Sequence, residues 1–134
     1  MIYTQDLRIG DLVRYGKDVI SIQAVHADGL VCFADGKDQI CVEQVLLEPI
    51  PLTPEILEEN GFNVIDPEKC YTKPIVAQKT FFARYLSIEN KPNGWKVFIK
   101  YENFSDNVLA RPIKYIHEFQ NLLWALGEDA NLKI

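Results

Sequence analysis

The sequence predicts an α+β protein: a small N-terminal SH3-like β-barrel followed by a short helix, an antiparallel β-sheet and a C-terminal helix. Three observations lead to this class. Residues 6–45 alternate short apolar runs with turn dipeptides, residues 71–101 are rich in aromatic and β-branched residues, and residues 112–127 have helical periodicity. We expect residues 1–47 to form the barrel region and residues 48–134 the remainder, packed with it as one unit.

The barrel prediction rests on glycine-containing turns that separate short strand segments. Glycine accepts a positive φ, and a neighbouring aspartate caps the turn through its side chain. The strands are placed at residues 12–15, 19–26, 30–33 and 39–42, with Asp28-Gly29 as the strongest hairpin signal. Strands this short and bent bury little as a flat sheet, so curling into a small barrel is the economical arrangement.

Two strands alternate clearly between their faces. In residues 20–26 one face is predicted to carry Ile20, Ile22 and Ala24, and the other Ser21, Gln23 and Val25. In residues 95–101 the two predicted faces are Trp95, Val97, Ile99 and Tyr101 against Lys96, Phe98 and Lys100. The first of these two faces has the composition of a buried surface.

A proline-rich connector at residues 48–52 leads into a short helix. Thr53 is the predicted N-cap, Pro54 occupies the first helical position, and Asn60-Gly61 is a left-handed stop. The docking residues are expected to be Ile56, Leu57 and Phe62. Strands are then predicted at residues 71–76, 80–88 and 95–101, the last two joined by a five-residue loop, Asn90-Lys91-Pro92-Asn93-Gly94.

The terminal helix is predicted from Pro112 to Gly127, with residues 131–134 as a short edge strand. Its apolar side chains cover roughly 200° of the helical wheel, which is too wide for a single sheet to cover. Gln120 falls inside this arc, so its amide needs partners if it is covered. Either the connector and first helix cover the second flank, or a partner docks around Gln120 and Trp124.

Charge and cysteine content narrow the class of protein. A net charge of −5 repels phosphate backbones unless a basic face is segregated. The chain shows neither a signal peptide nor an apolar run of membrane-spanning length, so we expect a cytoplasmic protein with no membrane partner. Three cysteines without a CxxC pair suit a reducing compartment and argue against a disulfide framework.

Three segments together resemble a known family. Residues 6–11, 48–62 and 113–123 are similar to those of a family of small uncharacterised proteins from Bacteroides-type gut bacteria and their phages or mobile elements. The resemblance covers both ends and the connector, but not residues 62–110. It implies a single architectural unit and supplies no activity, ligand or catalytic residue.

Titratable residues offer few candidate sites. His117 next to Glu118 is most simply a solvated or rim residue, and with Cys70 these are the only residues that an enzyme hypothesis can nominate. Cys32 and Cys41, on neighbouring strands, would form a zinc site with His26, although a buried structural cysteine is the commoner case. Three glutamates near the N-terminal end of the short helix are explained by the helix dipole: Glu55, Glu58 and Glu59.

Aromatic residues interleaved with cations mark the face of Lys96, Phe98 and Lys100 as the nearest approach to a nucleic-acid surface. A sheet covered by the terminal helix shows the same aromatics, so a core role is favoured. We therefore assign no catalytic, cofactor-binding or metal-binding residue. The prediction is a non-enzymatic protein-interaction module, binding a protein partner or itself through the C-terminal helix. The alternative is a nucleic-acid-associated accessory protein of a phage or mobile element.

Overall fold

The computed structural model describes residue 2 and residues 4–74, 84–101, 104–108 and 112–134. The chain is a mixed α+β protein built mostly from antiparallel strands, and it divides into two compact units. Residues 1–51 and 115–121 form the first unit, and residues 52–114 and 122–134 form the second. The predicted grouping of the chain into one packed body stays a prediction.

The first unit contains a curled, five-stranded antiparallel sheet. Its strands are β1 (Leu12–Tyr15), β2 (Asp18–Val25), β3 (Leu30–Asp35), β4 (Asp38–Glu43) and β5 (Leu47–Glu48). Their spatial order is β4-β3-β2-β1-β5. The four strands predicted from the turn signals are confirmed within two residues at each end. The fifth was not predicted, because two residues after a 3₁₀ turn carry no periodicity.

Apolar side chains from this sheet form the core of the first unit. The buried set is Ile2, Leu7, Val13, Ile20, Ile22, Val31, Phe33 and Leu47. The rings of Tyr15 and Phe33 are tilted against each other with centroids 5.3 Å apart. Curling lets one face of short strands enclose these side chains, which is the packing that the turn spacing predicted.

A β-bulge changes which residues of β2 face the core. The pairing with β3 shifts register between Ile22 and Ala24, so that Val25 packs against the core while Ala24 lies opposite Cys32. Simple alternation placed Ala24 with Ile20 and Ile22, and that part of the prediction is wrong. An extra residue in one strand reverses the faces beyond it.

The second unit contains helix α1 and a second antiparallel sheet. α1 spans Pro54–Glu59, and the strands are β6 (Asn63–Asp66), β7 (Cys70–Pro74), β8 (Arg84–Lys91), β9 (Gly94–Tyr101) and β10 (Phe104–Val108). Their spatial order is β10-β9-β8-β7-β6. Helix α2, Ile116–Ala125, begins in the first unit and ends in the second.

The ends of α1 form as the sequence predicted. Thr53 Oγ1 accepts a hydrogen bond from the Ile56 N–H at 3.4 Å, and Gly61 has a φ of 86°. Leu57 and Phe62 are buried, and Ile56 is half-buried. In β9, the predicted inward residues Trp95, Val97 and Ile99 are buried. The side chains of Lys100 and Tyr101 lie outside the described residues, as do residues 80–83 of a predicted strand.

The hairpin between β8 and β9 is tighter than predicted. Lys91 pairs with Gly94, which leaves Pro92-Asn93 as the turn rather than a five-residue loop. Gly94 has a φ of 127°, and a Cβ added to it would lie 2.8 Å from the carbonyl oxygen of Ile113. The close approach of another chain segment therefore requires glycine here.

Trp95 connects three segments of the second unit. Its N–H donates to the Ile113 carbonyl at 2.6 Å, and the Ile113 N–H donates to its carbonyl at 2.8 Å. The indole Nε1 donates to the Leu52 carbonyl at 3.0 Å. Its ring meets that of Tyr71 edge-on, with centroids 6.0 Å apart. One residue thus joins β9 to the connector and to the segment before α2.

The terminal helix was predicted to begin at Pro112, but it begins at Ile116. The main chain of Ile113 is paired with Trp95, so residues 112–115 are extended and α2 begins at Ile116. The Tyr115 N–H donates to Glu118 Oε1 at 3.1 Å, which satisfies one donor of the first turn. At the other end Gly127, with a φ of 74°, stops the helix as predicted.

The C-terminal tail is not a strand. The Lys133 N–H donates to Asn60 Oδ1, and Asn60 Nδ2 donates to the Lys133 carbonyl, each at 2.8 Å. One amide side chain thus takes the place of a partner strand, so the predicted edge strand at residues 131–134 is wrong.

Gln120 ties α2 to the start of β1 within the first unit. It is 2% exposed, and the prediction that its amide needs partners is confirmed. Its Oε1 accepts from the Leu12 N–H at 2.7 Å, and its Nε2 donates to the Gly10 carbonyl at 3.1 Å. The flank around Gln120 is therefore interior, not a docking surface.

We expect Gln120→Met to lower the free energy of unfolding by about 2–6 kcal/mol. Methionine fills a similar volume, but the Leu12 N–H and Gly10 carbonyl lose the partners that Gln120 supplies, at about 1–3 kcal/mol for each buried group. Chemical denaturation checks this. The matched control is Gln39→Met, which removes an exposed amide bonded to Gln23; equal losses in both variants would contradict the anchoring role.

Candidate functional site

Strand pairing brings two cysteines together in the first unit. Cys32 on β3 lies directly opposite Cys41 on β4, with their Cα atoms 4.0 Å apart, and a disulfide joins them. The expectation that the cysteines form no disulfide is wrong for this pair. The Asp35-Gly36 turn sets the register of β3 against β4, and this register places Cys32 opposite Cys41. Cys70 is a free thiol in the second unit.

His26 completes a cluster with these two sulfurs. It follows β2, where its N–H donates to the Leu30 carbonyl at 2.9 Å and its carbonyl accepts from the Gly29 N–H at 3.1 Å. One ligand atom each from His26, Cys32 and Cys41 lies within 4.8 Å of the others. Cys32 is buried, whereas His26 and Cys41 are exposed. The trio that the sequence nominated for zinc is thus brought together.

A second group of titratable side chains is buried in the first unit. Asp11 is 3% exposed, and it accepts a hydrogen bond from the Arg8 N–H at 2.9 Å. Burial raises its pKa from 3.8 to about 6, and the interactions with Arg8 and Asn121 oppose that rise. A carboxyl group in this position is partly protonated near neutral pH.

His117 belongs to the same interior. It is 5% exposed, so the prediction that it is a solvated or rim residue is wrong. Burial lowers its pKa, opposed by the charges of Glu118 and Asp6. Its ring stacks on Tyr115 with centroids 6.0 Å apart, and its Nδ1 has no hydrogen-bond partner among the described residues. The helical wheel placed His117 on a polar arc, whereas the structure buries it beside Tyr115.

The remaining enzyme candidates serve local structure. Glu118 accepts from Tyr115 at the start of α2, while Cys70 lies half-buried on β7 in the second unit, 3.9 Å from the Ser87 hydroxyl. Glu55, Glu58 and Glu59 are exposed on α1, but only Glu55 lies in its first turn, where the helix dipole favours a carboxylate. Glu58 and Glu59 are the last two residues of this short helix, so the dipole explanation is wrong for them. Among the described residues these glutamates belong to no group able to share a metal ion.

The second unit contains a surface cavity of about 360 Å³. Asn60, Phe62, Lys73 and Leu132 are among the residues that line it, and His117 is not. Lys73 Nζ donates to the Asn60 carbonyl at 2.9 Å and lies 5.6 Å from the centre of the Phe62 ring. The ammonium group of Lys73 is thus already held by the walls.

Lys96 and Phe98 lie side by side on β9, as alternation predicted. Both are half-buried, and Lys96 Nζ is 5.9 Å from the centre of the Phe98 ring. The third member of this predicted face, Lys100, has a side chain outside the described part of the chain. Two residues in cation–π contact form a small basic surface, weaker than the continuous basic groove that holds single strands.

One edge strand of the second sheet exposes two adjacent apolar side chains. β6 is an edge strand whose four residues are all exposed, and Val64 and Ile65 are 41% and 64% exposed. In the same unit Trp124 is 61% exposed, whereas the other tryptophan, Trp95, is buried. The sequence pattern indicated Trp124 as an interaction candidate but did not indicate β6, because four residues are too few to show a clear alternation.

Comparisons with family models, with curated proteins and with solved structures found no match to this chain. The resemblance to proteins of Bacteroides-type bacteria and their phages therefore stays a prediction. In the part of the chain that the structure describes, no helix is long and apolar enough to cross a membrane.

The buried carboxyl of Asp11 predicts a specific pH dependence of stability. Because its folded pKa of about 6 lies above 3.8, its contribution favours folding fully below pH 3.8 and is lost as the pH rises through about 6. The size is about 3 kcal/mol, since one pKa unit corresponds to 1.36 kcal/mol. Between pH 4 and pH 7, Asp11→Asn should remove most of this loss, as measured by denaturant unfolding.

His117 provides a control, because its titration changes the stability with pH in the opposite direction to that of Asp11. Its folded pKa lies below 6.5, so its contribution is present above pH 6.5 and is lost as the pH falls through the lowered pKa. His117→Asn should therefore flatten the acid side of the profile. An Asp11→Asn profile parallel to that of the unmodified protein would contradict the raised pKa.

Proposed function

We propose that this protein is a non-enzymatic protein-interaction module that binds a second copy of itself through β6. The observation that carries the proposal is the exposure of all four residues of this edge strand, including Val64 and Ile65. An edge strand presents main-chain donors and acceptors on its outer side, and an apolar edge is a template for pairing with another strand.

The sequence of β6 is complementary to itself in the antiparallel sense. Around a two-fold axis between Val64 and Ile65, each Val64 faces Ile65 of the second copy, and each Asn63 faces Asp66. The amide of Asn63 donates to a carboxylate in this pairing. A parallel arrangement in register would place the two Asp66 carboxylates side by side, which is destabilising.

Trp124 on the C-terminal helix supports an interaction role from the same unit. Tryptophan is enriched among the residues that dominate binding energy at interfaces, and this one is 61% exposed. We therefore restrict the proposed interaction role of the C-terminal helix to its last turn, because Gln120 is buried.

We also propose that the first unit is an SH3-like barrel and that the protein acts in the cytoplasm. Four consecutive antiparallel strands followed by β5, which returns to pair with β1, support partial closure of the curled sheet. The cytoplasmic assignment rests on the sequence.

Self-association is tested by sedimentation velocity over a series of protein concentrations. We expect the average mass to rise above the 15.4 kDa of one chain, and Ile65→Lys to raise the dissociation constant by about tenfold. The substitution affects two symmetric Val64–Ile65 pairs, each contributing about 0.2–1 kcal/mol. Because Ile65 is exposed, the variant should remain folded.

The matched control is Ile9→Lys, which introduces the same charge at a side chain that is 76% exposed in the first unit. It should leave the dissociation constant unchanged. A protein that stays at 15.4 kDa at every concentration, or one weakened equally by both substitutions, would rule out pairing through β6.

The alternative is a nucleic-acid-associated accessory protein, supported by the adjacent Lys96 and Phe98 on β9. If this function holds, filter binding near 50 mM salt should retain single-stranded DNA or RNA, and Lys96→Glu should reduce the retention because a phosphate contact is replaced by repulsion. Lys37→Glu, with the same charge change at an exposed turn of the first unit, is the control. No retention by the unmodified protein would remove this alternative.

A further inference from the structure

We propose that the reduced form of the protein binds a thiophilic divalent cation, with Zn²⁺ as the expected ion, through His26, Cys32 and Cys41. The observation behind this is the grouping of one imidazole nitrogen and two sulfurs within 4.8 Å of one another. Two thiolates and an imidazole form a ligand set that zinc prefers, and three protein ligands leave the fourth position for water.

The required movements are confined to side chains. Zinc–sulfur and zinc–nitrogen bonds of about 2.3 Å and 2.0 Å place two tetrahedral ligands roughly 3.6 Å apart. After reduction the two sulfurs, which are bonded to each other in the disulfide, have to separate to about this distance, while the imidazole nitrogen, within 4.8 Å of them, has to approach by about 1 Å at most. His26 and Cys41 are exposed, so their side chains are free to rotate toward an ion, while buried Cys32 provides a fixed point.

The main chain around these ligands is already held in place. His26 is hydrogen-bonded through both of its main-chain groups, to Leu30 and Gly29. The Leu30 N–H in turn donates to Asp28 Oδ1 at 3.2 Å. Cys32 and Cys41 lie in the middle of a six-residue ladder between β3 and β4. An ion therefore meets ligands whose backbone is ordered by the strands and not by the metal.

The disulfide and the metal exclude each other, so binding depends on the redox state. Two low-molecular-mass thiols reduce the Cys32–Cys41 bond by exchange, giving two protein thiols and one small disulfide. Zinc then displaces the two thiol protons and takes the imidazole nitrogen as its third ligand. The reverse exchange, with a small disulfide as the oxidant, takes both electrons from the thiolates, re-forms the protein disulfide and releases the ion.

Cobalt provides a spectroscopic probe. The full-length chain is reduced with a phosphine, freed of reductant without oxygen and titrated with Co²⁺. We expect one equivalent to bind, with a thiolate-to-cobalt charge-transfer band and the visible bands of tetrahedral cobalt, and Zn²⁺ to abolish both. The protein with its disulfide intact, verified by mass spectrometry, should show neither band.

The variants separate this site from incidental binding. Cys41→Ser and His26→Asn change exposed side chains, so both should fold, and each should weaken Co²⁺ binding by about tenfold or more. Cys70→Ser removes the remaining thiol and should change nothing. Far-ultraviolet circular dichroism of each reduced variant checks the fold.

Three results would overturn the proposal: reduced protein without cobalt bands, bands that persist unchanged in Cys41→Ser, or bands that disappear in Cys70→Ser. The outcome is independent of self-association, because the Ile65→Lys variant should bind cobalt as the unmodified chain does.

Discussion

Both units depend on one constraint: main-chain groups buried near the ends of strands must find hydrogen-bond partners, and distant side chains supply them. In the first unit the amide of Gln120 bonds to Gly10 and Leu12 at the start of β1. In the second, the indole of Trp95 bonds to the Leu52 carbonyl. A buried polar group without a partner costs about 1–3 kcal/mol, a large share of the stability of a small protein. These contacts therefore also determine where the connecting segments run.

The position of α2 illustrates this dependence. The sequence contains a proline at residue 112 and a helical pattern that continues from it, so local signals alone favour an early start. Pairing of Ile113 with Trp95 removes the main chain of that segment from the helix, and α2 begins at Ile116, four residues after Pro112. Tertiary pairing overrides helix propensity here because two main-chain hydrogen bonds to a buried strand outweigh the small preference for one more helical turn.

Features of the fold that depend on residues close together in the sequence were predicted correctly, whereas features that depend on distant residues were not. Thr53, Gly61 and Gly127 act on their own neighbours, and each helix end that they mark was predicted correctly. The bulge in β2 and the pairing of the tail with Asn60 depend on residues far along the chain, and neither leaves a periodic signal. The sequence therefore predicts the fold class, but it does not predict the register of the strands or which face of a strand each residue occupies.

The candidate site residues were also predicted correctly where they depend on local sequence and wrongly where they depend on distant residues. His26, Cys32 and Cys41 were grouped from the sequence because a single turn separates the two cysteine strands, and the structure brings them together. His117 was misplaced because a helical wheel ranks side chains by neighbours on the helix and not by what lies against it. It is 5% exposed in the structure, and no spacing pattern indicates that burial.

The edge strands β4 of the first sheet and β6 of the second differ in composition, and this difference supports β6 as the proposed pairing surface. β4, an edge of the first sheet, carries exposed Asp38, Gln39 and Glu43 and is cross-linked to β3 through Cys41. Charged side chains on an edge oppose the approach of another strand. β6 has one charged residue, Asp66, at its end, and the two positions in its centre are valine and isoleucine. The apolar centre of β6 and the single charge at its end support the proposed pairing through β6 over pairing through β4.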